Sequence, residues 1–378
     1  MLLISICAMI VFTVLLLGAR NQRIVRDPEA SGSEIRHVPD AWVLVLFVSI
    51  LVIVSTLRFG FIDTYAYKIM YELSRDNLSY VYSKPWGVEE GWLLLLYFLN
   101  FFSSDSKLML FIVALVVNVA FAKTTDRFST DVVFSLLIYF CLSYLDTNNG
   151  LRQYFSAAII ILAYPLLLKR HYLLFVAIVL GVSTAFHQSA IVCLAVGFLA
   201  LGKPLNKGVV VFFCVAVVLF LFPDLTQSLL GDILEDNKYG MYASNSNGAG
   251  LPRVLVTAIV PAFLGFLHIR KCRKKGIAIS RSESFLLNIM FMSSCFSLLA
   301  LNMAYWARLC FYTSFASCIL MPKLIDTAFG DSRNKGIIRM AAIACYVFFF
   351  IYNIYVNADY GALDQFYVDA PVFGELFR

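Results

Sequence analysis

The chain has 378 residues, of which 61% are hydrophobic and 14% charged, whereas a soluble domain runs roughly 45–50% apolar and 25% charged. At roughly 20 residues per crossing, this apolar content suffices for on the order of eleven or twelve membrane spans. A water-soluble enzyme, a disordered chain and a secreted disulfide scaffold are excluded. The net charge of +6 reads as the cytoplasmic bias of membrane loops. No basic run is interleaved with aromatics in a soluble segment, so nucleic acid is not an expected partner.

In chain order, residues 2–18 are apolar and precede the first arginines, which predicts an uncleaved helix with its N-terminus outside. Further spans are predicted at 41–57, 107–122, 130–145, 153–168, 172–186, 188–202, 208–222, 253–269, 284–301, 308–322 and 338–356. The twelve-residue run 91–102 reaches only ~18 Å of a ~30 Å hydrocarbon core. It is expected to be a re-entrant or interfacial helix. The basic loop 270–281 fixes the cytoplasmic side, and counting spans from it places 20 of the 30 Lys+Arg inside.

The stretch 172–202 has basic residues at both ends, Lys169 and Arg170 before it, Lys203 and Lys207 after it. That implies a hairpin with its tip near 185–189. Each arm is ~22 Å long, so the tip, carrying His187 and Gln188, sits below the outer surface. The expected fold class is therefore all-α: a single polytopic membrane domain over 1–378, with about twelve spans and one re-entrant helix. Two outer segments stand out, 58–106 with the re-entrant run and 223–252.

The nine cysteines lie in apolar runs, except Cys272 in the basic loop. None shows metal-ligand spacing, so neither disulfides nor structural zinc is expected. No metal and no cofactor is assigned.

Ionisable groups at membrane depth are costly and commonly functional. Arg58, Arg152 and Arg308 border apolar runs on the outer side, against the charge rule for that face. Each taken alone equally suits snorkelling at the interface. Together they suggest an anionic ligand, because guanidinium forks match phosphate and diphosphate oxygens. Asp63 follows Arg58 by five residues, and Glu89 and Glu90 precede the re-entrant run. A carboxylate there pairs with an arginine or acts as a general base, a duty His187 could share. The tyrosines and tryptophans of 58–92 suit either an interfacial belt or stacking on sugar rings. There is no phosphate-binding glycine loop and no Ser/His/Asp arrangement.

Four motifs resemble those of the EpsG family. Leu57-Arg-Phe-Gly-Phe-Ile-Asp63-Thr-Tyr65-Ala-Tyr67 looks like its Arg-x-Gly-x-x-Asp-x-x-x-Tyr opening, and Asn149-Gly-Leu-Arg152-Gln153 like its Asn-x-x-Arg-Gln helix start. Ala185-Phe-His187-Gln188-Ser189 resembles its Phe-His-x-Ser tip, and Arg308-Leu-Cys-Phe-Tyr312 its late Arg-x-x-x-Tyr. EpsG-like proteins are similar to the Wzy polysaccharide polymerases of O-antigen, capsule and exopolysaccharide. The resemblance implies a metal-independent, GT-C-like glycosyltransferase in the bacterial inner membrane, its site facing the periplasm or exterior. Donor and acceptor would be oligosaccharides on undecaprenyl pyrophosphate, with the bilayer around them and a chain-length regulator as an optional partner. Taken together, the residue reading and the resemblance give Asp63, Glu90 and His187 as candidate catalytic residues. The candidate substrate-binding residues are Arg58, Arg152, Gln153, Arg308, Tyr312, Tyr65, Glu89 and Tyr239. A transporter or flippase of a lipid-linked glycan or other anionic substrate is the alternative, though the matching halves of such folds are not found. An O-acyltransferase would need a cytoplasmic donor route, which the outer placement of His187 disfavours.

Overall fold

The computed structural model describes residues 2–26, 35–58, 61–83, 87–224, 249–303, 305–330 and 332–355. Long apolar runs become helices, even across Pro165 in Leu151–Leu168 and Pro322 in Phe315–Phe329, and the polar segments between them become caps and turns. Helix α1 (Leu2–Arg20) leads into an antiparallel ribbon, β1 (Arg23–Arg26) with β2 (Ile35–Val38), and then α2 (Ala41–Leu57). Three short helices follow: α3 (Thr64–Leu73), α4 (Leu78–Tyr82) and α5 (Glu90–Asn100). Next come α6 (Lys107–Phe128), α7 (Val132–Leu142), α8 (Tyr144–Thr147), α9 (Leu151–Leu168), α10 (Tyr172–Ala185), α11 (Val192–Leu199) and α12 (Lys207–Leu221). The last described part holds α13 (Leu251–Lys275), α14 (Arg281–Leu299), α15 (Tyr305–Leu309), α16 (Phe315–Phe329) and α17 (Lys335–Tyr355).

Among the described residues five helices are long and apolar enough to cross a membrane (α6, α9, α13, α14 and α17), or six if the pair Tyr305–Tyr312 and Phe315–Phe329, bent by 69°, counts as one span. Six shorter apolar helical stretches, Ile4–Arg20, Ala41–Leu57, Val132–Leu142, Tyr172–Ala185, Gln188–Leu199 and Lys207–Leu221, have 10–17 residues among the described ones. Length and apolarity thus support five to six crossings, fewer than the twelve expected. The 91–102 run forms α5, and the 130–145 run divides into α7 and α8 at Ser143.

Local sequence explains several boundaries. Asp131 caps α7 by accepting from Phe134 N at 3.0 Å. Ser280 accepts from Glu283 N at 3.2 Å, the Ser-x-x-Glu pattern of a capping box. The stretch 270–275, expected to be loop, is helical, and α13 ends at Gly276 with φ 65°. Its last-turn cations Arg273, Lys274 and Lys275 complement the negative end of the helix dipole. The ribbon β1–β2 is likewise a departure from the all-helical expectation. Strand β2 docks on the α6–α7 turn, with His37 N donating to Thr130 O at 2.7 Å and Arg36 Nε to Ser129 O at 2.9 Å.

The principal core runs through α1, α2, α7, α9, α14 and α16, with Phe47, Leu51, Phe140, Leu287 and Ile319 buried in it. A second cluster joins α3 and α5 to α6 and α9. There Trp92 is fully buried, with its ring edge-on to Tyr67 and Phe155. Tyr67, Tyr71 and Trp92 therefore pack the 61–100 segment onto the bundle and present no ring face for a sugar. Tyr65 and Tyr82 are exposed, and Trp86 lies outside the described residues.

The end of α2 is tied down by Arg58, only 1% exposed. Its Nε donates to Thr64 Oγ1 at 3.1 Å, Nη1 to Asn148 Oδ1 at 3.0 Å and to Ser55 O, and Nη2 to Asn148 O at 3.3 Å. Arg58→Ala leaves these buried acceptors unpaired, at about 1–3 kcal/mol for each one that water cannot reach. The variant is expected to melt well below the wild type in detergent. Arg58→Lys should restore only part of the loss, because an ammonium cannot reproduce the planar fork.

Candidate functional site

Four chain turns meet at the end of the bundle where α2 stops and α9 begins. The turn before α9 is closed by Asn148 Nδ2, which donates to Tyr144 O at 2.8 Å. Gly150 caps the helix, and a Cβ there would approach Phe311 to 3.2 Å. Arg152 and Gln153 then stand in the first turn of α9, at the positive end of its dipole.

Arg152 forms an ion pair with Glu89, the residue that caps α5, and their side chains are 14% and 8% exposed. The second carboxylate oxygen of Glu89 accepts from Gln188 N at 3.0 Å. One carboxylate thus couples α9, α5 and the turn after α10. That turn comes close because residue 91 is glycine. A Cβ there would lie 2.5 Å from Ala185 Cβ and 2.6 Å from its carbonyl oxygen.

Helix α10 ends at Ala185, His187 is extended (φ −160°), and a 3-10 turn over Gln188–Ile191 leads into α11. The break falls where the hairpin tip was expected. His187 is buried, and its Nδ1 lies 2.7 Å from Ser189 Oγ and 3.3 Å from Ser189 N. Ser189 Oγ is also 3.0 Å from the Tyr312 hydroxyl and from Gln153 Nε2. Gln153 Nε2 donates to Arg308 O at 3.1 Å as well, which fixes the orientation of the amide. The Ser189 N–H points at Nδ1, so that nitrogen accepts and the hydroxyl proton of Ser189 can be directed to it too. In neutral His187 the ring proton is then on Nε2.

Asp63 precedes α3 and does not cap it with its side chain. Burial raises its carboxyl above the ordinary carboxylate range, opposed by the nearby charges of Arg308 and Arg152. Tyr67, one turn into α3, also faces Arg152. Two guanidiniums and two carboxylates, Arg152 and Arg308 with Glu89 and Asp63, therefore gather with His187, from segments far apart in the chain. No group of three or more His, Cys, Asp or Glu residues at metal-binding geometry occurs among the described residues; the positive charge of this cluster is guanidinium.

The structure thus brings together Asp63, Glu89, Arg152, Gln153, His187, Arg308 and Tyr312. Glu90 opens α5 beside Glu89 and is partly buried. Gln153 and Tyr312 are buried and act on their neighbours, Gln153 on the Arg308 backbone and both on Ser189. Arg58 lies at this same end of the bundle, but four of its hydrogen-bond donors are spent inside the fold. Tyr65 is 71% exposed and makes no ring contact with the cluster among the described residues. Tyr239 lies outside the described residues. Sequence reasoning missed the role of Ser189, whose position two residues after His187 was the one available signal. It also missed the ion pair of Arg253 with Asp146, which braces the turn before α9.

Gly91→Ala is expected to force α5 away from Ala185, and overpacking of this kind costs about 1–3 kcal/mol. A lowered melting temperature of the purified protein, with normal membrane insertion, is the expected result. Neither a curated protein nor a solved structure is significantly similar to the chain. The EpsG family model matches residues 41–368, a range that includes all four motifs and every residue of this cluster, and the chain belongs to the EpsG family of polysaccharide-polymerase-like membrane proteins.

Proposed function

We propose that the protein is a membrane polysaccharide polymerase of the bacterial inner membrane, with this cluster as its active site on the exterior side. The donor is a glycan on undecaprenyl pyrophosphate, and the acceptor is the terminal hydroxyl of a second lipid-linked repeat unit. The observation that carries this reading is the meeting of Arg152 and Arg308 beside a partly buried carboxyl, Asp63. Membership of the EpsG family supports it at the level of the reaction class.

In the proposed reaction the acceptor oxygen bonds to the anomeric carbon as the bond from that carbon to the diphosphate oxygen breaks. Arg152 and Arg308 stabilise the charge that accumulates on the leaving diphosphate. The dipole of α9 adds to them. Asp63 takes the acceptor proton, its affinity for protons already raised by burial. His187, with its ring proton on Nε2, is placed to donate a hydrogen bond, and Glu89 orients Arg152. Guanidinium charge performs the work that a metal ion does in other glycosyl transfers, so the reaction is read as metal-independent. Lipid tails lie in the bilayer alongside the helices, in a GT-C-like fold whose shorter apolar helices complete about twelve spans.

Two measurements test this. Arg152→Ala and Arg308→Ala should each reduce polymer at least about a hundredfold, the usual effect of losing a group that stabilises developing charge. Membrane levels of the protein should stay normal while single lipid-linked repeat units accumulate. Disappearance of those units from the exterior leaflet would instead indicate a flippase. The second measurement is the pH profile of the reconstituted protein. A base must be deprotonated, so activity falls as pH drops through the raised Asp63 value, and the acid limb should lie above ~3.9, the value of an unperturbed aspartate. Asp63→Asn should abolish turnover while leaving donor binding intact.

A further inference from the structure

At the end of the bundle remote from this cluster, α1, α7 and α17 enclose a groove of about 470 Å³, a volume within the ~300–1,000 Å³ range of ligand pockets. The two ends are separated by the full length of α2, whose Asp40 end carries the ribbon and whose Arg58 end reaches the turn before α9. The walls are apolar, formed by Leu15, Leu16, Val133, Leu137, Ile343 and Val347 among others. One end is polar, with Gln22, His37, Asp131 and Arg339.

Three observations define the occupant. The first is depth: the lining runs from Ala19 to Phe12 on α1 and from Arg339 to Val347 on α17. At 1.5 Å per residue that is roughly 10–12 Å, most of the ~15 Å that one leaflet contributes to the hydrocarbon core. The second is access. Leu16 and Met340 line the groove and are also 68% and 64% exposed, so it opens sideways into the surface that faces lipid tails.

The third is charge at the mouth. Asp131 is satisfied, accepting from Gln22 Nε2 and Phe134 N at 3.0 Å each and pairing with Arg339. Asp40 pairs with Arg23, and Asp326 is shared by Arg339 and Lys335. Arg36 is held by the backbone carbonyls of Ser129 and Asp126, and Arg20 ends α1 beside the groove. Among these residues five cations, Arg20, Arg23, Arg36, Lys335 and Arg339, stand against the four carboxylates of Asp40, Asp126, Asp131 and Asp326. Ile24, Val25 and Ile35 of the ribbon are exposed apolar side chains next to these arginines, the composition of a surface that sits at a lipid headgroup level.

We infer that the groove is a binding site for one anionic phospholipid of the bilayer, an acyl chain between α1, α7 and α17 and the phosphate at the Arg339 end. The site is separate from the polymerase cluster and does not depend on the proposed reaction. It gives a membrane enzyme a requirement for lipid of one charge class.

Native mass spectrometry of the purified, delipidated full chain tests this, with phosphatidylglycerol and phosphatidylcholine of identical acyl chains added in turn. The wild type should retain one phosphatidylglycerol per chain, in about fivefold preference to phosphatidylcholine, the discrimination that one basic residue supplies near a membrane surface. Arg339→Gln should remove most of the preference. Ile343→Trp, which fills the groove and leaves the polar mouth intact, should lose the bound lipid of either kind. Equal retention of the two lipids by the wild type overturns the charge assignment and with it the proposal. Undiminished phosphatidylglycerol binding by folded Ile343→Trp places the lipid elsewhere and overturns it as well.

Discussion

A charge withdrawn from water must find an opposite charge or a set of hydrogen bonds, and the ion pair of Arg152 with Glu89 meets that requirement for these two residues at the centre of the site. The pair joins the first turn of α9 to the cap of α5. The same carboxylate holds the backbone of Gln188, so the hairpin tip is positioned by the group that positions the arginine. Close approach of α5 to Ala185 is available because residue 91 has no side chain. Arg308 is brought in through Gln153, which lies one residue after Arg152 and bonds to the Arg308 carbonyl. Removing Glu89 would therefore disturb three elements at once.

The electrostatic balance of the cluster suits a ligand that arrives carrying negative charge. Two guanidiniums stand against two carboxylates, and burial disfavours the charged form of Asp63. In the proposed reaction a lipid diphosphate between Arg152 and Arg308 adds negative charge close to Asp63 and raises its proton affinity further. The base is then strongest when the donor is in place, which couples acceptor activation to donor binding. His187 is held in one tautomer by Ser189, and Ser189 in turn by Gln153 and Tyr312. These contacts orient groups that could reach substrate, the supporting shell that a precise site requires.

The parts of this site that could be read from the sequence are those where membrane physics makes a residue conspicuous. Arg152, Arg308 and His187 stand beside apolar runs, and basic residues at both ends of 172–202 demanded a reversal near His187. The structure places a helix break there. Arg58 satisfied the same criterion and has a different task, because its partners are the side chain and carbonyl of Asn148, 90 residues away. No spacing rule reveals such a pairing. Trp92 and Tyr71 read as membrane-belt or sugar-stacking aromatics, yet the small helices around them have a core of their own to fill. The ribbon β1–β2 was hidden by its arginines, which signal an inside loop whatever the backbone does. The number of spans is not legible in the apolar runs, since six apolar stretches among the described residues have 10–17 residues, between the length of a buried segment and that of a full crossing.

The central claim is that guanidinium side chains from distant segments, together with the partly buried carboxyl of Asp63, drive glycosyl transfer from a lipid diphosphate. Reconstitution of the purified chain in liposomes with a synthetic undecaprenyl-diphosphate repeat unit tests it most directly, the products being separated by chain length. A ladder of lengthening lipid-linked glycans, with free undecaprenyl diphosphate released in proportion to the linkages formed, is the predicted result. A folded protein that binds the substrate and returns it unextended, with no diphosphate released, would contradict the claim.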